Sequence, residues 1–268
     1  MTHPMKIAIA GCTGRMGLTL VEAVLAAPGV TLVAGSERPG FDENAARALL
    51  ETVGCKNLFV TSDSDTLAAQ ADAVIDFTVP AATLAMAEAV AKRGAIHIVG
   101  TTGFSPEEQK KLVALATQAR IVQSGNFSLG VNVLESLVQK AAKLLDDAYD
   151  IEIFEMHHKH KKDAPSGTAL MLGEAVAKGR SVALQEKKVL AREGITGERK
   201  RGDIGFSVQR GGDVVGVHSV FFAGPGEVLE LKHQGFNRDI YAGGAIHAAR
   251  WAATQKPGLY SMKDVLGL

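Results

Sequence analysis

Apolar positions along the chain recur with two different periods, and the switches between them mark out its elements. Lys6 to Ala10 is a short apolar run ending in the glycine-rich GCTGRMG, after which Leu18, Val21, Val24 and Leu25 recur at helical spacing. The pattern predicts a strand, a glycine turn and a helix. A second strand over Val30 to Gly35 gives way to the polar turn SERPG and a helix over Asn44 to Glu51. Strands over Asn57 to Val60, Ala73 to Phe77 and Ile96 to Val99 then alternate with helices over Asp65 to Gln70 and Ala82 to Lys92. Pro106 opens one more helix, and IVQSGN reads as a further strand. Such alternation implies a parallel, doubly wound, Rossmann-like sheet.

After Asn126 the pattern changes. Asn132 to Leu145 predicts a long amphipathic helix, Asp150 to Met156 alternates like a strand, and Gly167 to Lys178 is again helical. Gly205 to Gln209, Asp213 to Ala223 and Glu227 to His233 read as consecutive strands separated by Arg-Gly-Gly and Gly-Pro-Gly turns. The expected fold is therefore α/β: a Rossmann-like domain over residues 1–126 and an α+β domain over 127–236 on an open, mostly antiparallel sheet. A C-terminal segment, 237–268, carries a helix over Ala242 to Thr254 and is expected to return to the first domain.

Composition narrows the function. Twenty-nine Lys plus Arg balance 29 Asp plus Glu, so no whole-molecule field draws the chain to nucleic acid or acidic membranes. The start runs directly into a strand and a glycine loop without a secretory hydrophobic region, which predicts a cytoplasmic protein. Two cysteines, Cys12 and Cys55, are too few for a disulfide framework and lack metal-ligand spacing.

Gly11, Gly14 and Gly17 lie where the first strand meets the first helix, where backbone amides without side chains approach a pyrophosphate at the helix's positive end. The spacing is G-x-x-G-x-x-G rather than G-x-G-x-x-G, and a tight turn is the blander reading. Glu37 follows the second strand, about 20 residues beyond the loop, where ribose hydroxyls are bound. A nicotinamide dinucleotide is the expected cofactor. Glu37 favours the free hydroxyls of NADH, whereas the adjacent Arg38 can meet the 2′-phosphate of NADPH. Two further loops, Gly100-Thr101-Thr102-Gly103 and Ser124-Gly125-Asn126-Phe127, follow parallel strands at the end where such sheets bind ligands.

The stretch from Glu155 to Thr168, EMHHKHKKDAPSGT, places six basic or imidazole side chains in consecutive positions, His157 to Lys162. A solvated basic face, a metal cluster and a nucleic-acid patch are the rival readings. Lys159, Lys161 and Lys162 would oppose a dication, so no metal is expected. One Trp and three Tyr give little for nucleic acid to stack on. Ser166, Gly167 and Thr168 fall at a helix start, where exposed amides and hydroxyls bind carboxylate or phosphate. Cations beside an anion-binding helix end suit a small dicarboxylate, with a nearby His or Lys as general acid.

GCTGRMG, DFT at Asp76 to Thr78, GTTGF, NFSLGVN and above all HHKHKKDAPSGTA resemble the 4-hydroxy-tetrahydrodipicolinate (dihydrodipicolinate) reductase family. The likeness runs on through EGITGERKRGDIGF, RGGDVVGVH and DVLGL, covering nearly the whole chain. It implies NADH- or NADPH-dependent reduction of a cyclic imine dicarboxylate on the diaminopimelate route to lysine. By the same resemblance His157 is a proton donor or acceptor, Lys161 a proton donor, and His158 with Gly167 and Thr168 substrate-binding. Gly11, Cys12, Thr13, Gly14, Arg15, Met16, Glu37, Arg38, Gly100, Thr101, Thr102, Ser124, Gly125, Asn126 and Phe127 match cofactor contacts. A homotetramer assembled through the second domain's sheet is implied too. The competing readings are a related two-domain dehydrogenase acting on another amino-acid precursor, and a regulator that senses NADPH without turnover.

Overall fold

The computed structural model describes residues 3–268. The chain divides into two compact units, one running to Leu129 and including Asp239–Leu268, the other Gly130–Arg238.

The first unit opens with β1 (Met5–Ala10), α1 (Arg15–Ala26), β2 (Val30–Ser36), α2 (Glu43–Thr52), β3 (Phe59–Thr61) and α3 (Ser64–Gln70). It continues with β4 (Ala73–Asp76), α4 (Pro80–Arg93), β5 (Ile96–Val99), α5 (Pro106–Leu115) and β6 (Arg120–Gln123). Next, α6 (Leu129–Leu144) leads into the second unit, with β7 (Asp150–His157), α7 (Gly167–Gly179), α8 (Leu184–Lys187), β8 (Lys188–Val189), β9 (Ile204–Arg210), β10 (Gly216–Gly224) and β11 (Glu227–Gly235). The chain rejoins the first unit through α9 (Asp239–Ala252), β12 (Gly258–Tyr260) and α10 (Met262–Leu266).

The first sheet has the order β12-β6-β5-β4-β1-β2-β3, and every pairing in it is parallel. Its direction of winding reverses between β1 and β4, so the loops after Ala10 and Asp76 flank the switch point where such sheets bind ligands. On one face Ile7, Ile9, Ile75 and Ile98 pack with Leu20, Val21 and Val24 of α1 and Ala245 and Ala249 of α9. On the other, Ala8, Ala10, Val74 and Val99 meet Leu67, Leu84, Val90 and Leu112. Because both faces are covered, β4 and β5 are buried at every position, and they read in sequence as apolar runs broken by one polar residue each, Asp76 and His97. The helices begin where side chains satisfy their orphan amides. Asp42 caps α2, and Ser105 with Glu108 forms a capping box behind Pro106.

The second sheet is mixed, with the order β11-β10-β7-β9-β8. β10 is antiparallel to β7 and β11, whereas β9 is parallel to both β7 and β8. Two parallel strands need a crossover, and α7 supplies it between β7 and β9. β10 begins at Gly216 rather than Asp213, because Gly212 takes φ +51 and the chain turns there first. Ile151, Ile153, Phe206, Val220 and Phe222 form this unit's core with Leu134, Val138, Leu172 and Val176 of α6 and α7. No helix among the described residues is long and apolar enough to cross a membrane.

Candidate active site

In the first unit the glycine loop leaves β1 at Gly11, whose φ of +66° is a conformation glycine adopts without strain. Gly14 is the N-cap of α1 and has no side chain to hydrogen-bond the helix's first amides. A Cβ on Gly17 would stand 2.0 Å from the Gly11 carbonyl oxygen, so the helix start presses directly on the loop. The Cys12, Thr13 and Gly14 amides are taken by Ser36, Glu37 and Gly11, so the start of α1, which no side chain caps, is the part of the loop that fits a pyrophosphate. Glu37, just past β2, accepts hydrogen bonds from the Thr13 amide and hydroxyl, both at 2.7 Å. Arg38 beside it is exposed, as are Arg15 and Thr102.

Three of the predicted contact residues have side chains that turn inward instead. Cys12 is buried against Gly35, where burial pushes its thiol up to about 12. Phe127 is a core residue, with its ring tilted on that of Phe77 at 5.5 Å. Thr101 is buried and bonds Thr83 at 2.7 Å. These residues shape the loops, leaving their backbones as the groups that can face a ligand. Ser124 ties its own loop by donating to the Asn126 carbonyl at 2.7 Å, and Gly100 leaves no room for a side chain beside Phe77. Against the Gly100–Thr102 loop, with the Thr101 hydroxyl donating at 3.4 Å, lies the fully buried pair Asp76 and His97, 3.3 Å apart. Burial opposes the charge on Asp76, but bonds from His97 and from the Thr78 amide and hydroxyl outweigh it and hold the carboxyl below its usual range.

In the second unit the cationic run leaves the end of β7. Along that strand the inward positions are Ile151, Ile153, Glu155 and His157, so the phase of its polar alternation flips after Ile153: Phe154 and Met156 face out while a carboxylate and an imidazole face in. That flip is a readable signal, which a whole-strand periodicity averages away. Glu155 is 1% exposed. Its carboxylate accepts from Arg210 Nη1 and Nη2 at 2.9 and 3.0 Å, from the Ser166 amide at 3.0 Å, and from His157 Nδ1. Burial works against its charge, yet Arg210, His157 and Ser166 together keep it below the usual carboxylate range. A carboxylate can only accept, so Nδ1 of His157 carries hydrogen and Nε2 is left as the ring's other nitrogen. Gly216 lies alongside Nε2, where a Cβ would come within 3.1 Å. Burial drives the His157 pKa down, Glu155 raises it, and Lys161 and Arg210 lower it further; the net direction is down.

Lys161 pairs with Asp163 at 2.9 Å and is near enough to be felt by His157. The Asp163 carboxyl is held low by Lys161 and also takes a bond from the Gly167 amide. His158 has a buried Nδ1 with no hydrogen-bond partner. Ser166 is buried: its hydroxyl caps α7 by accepting from the Ala169 amide at 3.1 Å and lies 3.2 Å from His218 Nε2. Gly167 is exposed and Thr168 half-buried in the first turn of α7. His218, on β10, sets its ring edge-on to His157 at 5.0 Å, and burial followed by the His157 charge lowers its pKa to about 3. The sequence reading quoted Glu155, Arg210 and His218 within its motifs but gave them no role; they come from three different strands.

Residues 5–127 match the family model for the N-terminus of dihydrodipicolinate reductase, and residues 130–266 match that for its C-terminus. A protein named 4-hydroxy-tetrahydrodipicolinate reductase from Afipia carboxidovorans is 52% identical over 98% of this chain and 97% of its own. One of the same name from Dinoroseobacter shibae is 52% identical over the full length of both. Among solved structures, a dipicolinate-bound dihydrodipicolinate reductase from Paenisporosarcina sp. TG-14 superposes with a TM-score of 0.76 over 96% of this chain and 97% of that one, at 23% identity. Matched in both halves and sharing half its residues with full-length relatives, the chain belongs to the dihydrodipicolinate reductase family.

Proposed function

We propose that this protein reduces 4-hydroxy-tetrahydrodipicolinate to tetrahydrodipicolinate with NADH or NADPH, a step on the diaminopimelate route to lysine. The observation that carries the reading is His157, held through Nδ1 by a buried Glu155 that also holds the start of α7, with Lys161 near enough to act on its charge, in a chain 52% identical to reductases of that name. The substrate has one oxygen more than the product. A hydride and a proton therefore enter while that oxygen leaves as water, and bound nicotinamide supplies the hydride.

The protein's part is to bind, orient and move the proton. The loop from Gly11 to Met16, with Glu37, Arg38, Gly100 to Thr102 and Ser124 to Phe127, holds the cofactor; the uncapped start of α1 favours its phosphates. His158 and the first turn of α7 at Gly167 and Thr168 hold the dianionic substrate. His157 Nε2 delivers the proton, and Lys161 assists as the second donor. Burial disfavours the imidazolium in the free protein, whereas a bound dicarboxylate favours it and so promotes charging of the ring for the step. We also infer a homotetramer assembled through the second sheet, acting in the cytoplasm. Val228 and Leu229 on β11, 62% and 41% exposed, are apolar surface that such an assembly would cover.

The test is loss of reduced-nicotinamide absorbance with enzymatically generated 4-hydroxy-tetrahydrodipicolinate. Steady oxidation is expected. Cofactor binding without turnover would overturn the reading in favour of a sensor of the nucleotide.

A further inference from the structure

Glu155 stands where the strand calls for an apolar side chain. The inward residues preceding it on β7, Ile151 and Ile153, belong to the core, and an ionised carboxylate is costly to bury among them. Core packing gains nothing from the charge, since apolar residues of similar volume serve a core as well or better. Instead the four hydrogen bonds to Glu155 draw on β7, on the end of β9 through Arg210, and on the start of α7 through Ser166. Three elements are thus locked to one carboxylate, and its remaining partner is the ring that the proposed reaction uses.

We propose that Glu155, clamped by Arg210 and the Ser166 amide, is the positioning residue of the reaction, holding the His157 ring with Nδ1–H inward and Nε2 toward substrate. The inference rests on the proton-donor role given to His157 above. It extends the site to Glu155 and Arg210, neither of which needs to touch the substrate.

Charged and titratable groups face His157 from every side: Glu155 from its own strand, Lys161 from the loop that follows, Arg210 from β9 and His218 from β10. Removing the carboxylate takes away what favours the imidazolium, and removing Arg210 takes away a cation that opposes it. The two changes must therefore move the titration of His157 in opposite directions. A residue that merely supports the fold has no such signature.

The experiment follows the His157 ring by nitrogen-15 NMR against pH in the full-length protein, with His157→Gln identifying its signal, alongside kcat and KM. Wild type is expected as the Nδ1–H tautomer. Glu155→Gln should shift the titration to lower pH and cut kcat about 10²-fold, the worth of a positioned acid, with cofactor affinity unchanged. Arg210→Met should shift it to higher pH, and Arg210→Lys, which keeps the charge, should return it close to wild type. Shifts of the same sign in Glu155→Gln and Arg210→Met, or a lowered Tm with the ring titration unmoved, would overturn the proposal. The ring titrates in the protein without substrate, so a chain that failed to reduce the proposed substrate would still report on Glu155.

Discussion

At the scale of the residue, function turns on which groups can give a proton and which can only hold an anion. His157→Gln and Lys161→Ala should each lower kcat by roughly 10²-fold or more while cofactor affinity stays put, because a positioned acid contributes at least that much. Lys161→Ala carries a second expectation: with one cation gone from beside His157, its titration moves to higher pH, visible as a shifted limb of the kcat profile. Near-wild-type kcat in both variants would remove them from the proton path. Arg38→Ala should weaken NADPH more than NADH in parallel fluorescence titrations, since only NADPH brings a phosphate for a guanidinium to pair with; equal weakening would take Arg38 out of that role. Both proposed sites could be put forward from the sequence because each centres on a continuous stretch, a glycine loop or a cationic run. Their supports could not. Arg210 lies 55 positions from Glu155, and His218 lies 52 from Ser166, distances over which no local pattern speaks. Glu155 itself was visible in the sequence, but only the strand's pleat shows that it faces inward.

At the scale of the element, the first turn of α7 separates two kinds of hydroxyl that look alike in the motif DAPSGT. Ser166 is buried and spends its oxygen on the Ala169 amide and His218, as an N-cap does. Ser166→Ala should therefore cost stability, about 1 kcal/mol, while changing KM less. Thr168 is half-buried two positions further on, beside the exposed Gly167. Thr168→Ala should raise KM for substrate roughly ten- to hundredfold, the worth of one hydrogen bond to a charged group, with kcat much less changed. Thermal melts run beside the kinetics separate the two. A lowered Tm with unchanged KM in Thr168→Ala would assign that residue to the fold as well. The motif's Ser and Thr marked this helix start, but that Ser166 is its buried cap shows only once β10 sets His218 beside it.

At the scale of the whole molecule, periodicity carried the first unit well because its strands are separated by helices long enough to register, and it carried the second unit less well. In the second unit β8 has two residues, too short for any period to show, and the parallel placement of β9 depends on the crossover through α7 rather than on strand composition; in the first, the three-residue edge strand β12 escaped in the same way. The units also differ in how they store titratable groups. The second holds His157 and His233, both lowered chiefly by burial, and His218, lowered from 6.5 to about 3. Unfolded, such imidazoles take up protons below about pH 6.5. Folded, His218 does so only near 3, so the unfolded state binds more protons across that window. The stability His218 contributes is fully present above pH 6.5 and is lost progressively as pH falls toward 3. The first unit's Asp76, also held low, has the same sign but responds only in the carboxylate range. Acidification from pH 7 to 5 should therefore lower the melting transition of the second unit before that of the first. The sole tryptophan, Trp251, lies in α9 and reports on the first unit, whereas far-ultraviolet circular dichroism reports on both. The expected outcome is a dichroism transition that drops in temperature ahead of the Trp251 fluorescence transition, with His218→Gln flattening the difference. Coincident transitions falling in parallel, or no fall above pH 5, would show that the buried imidazoles do not set the acid response.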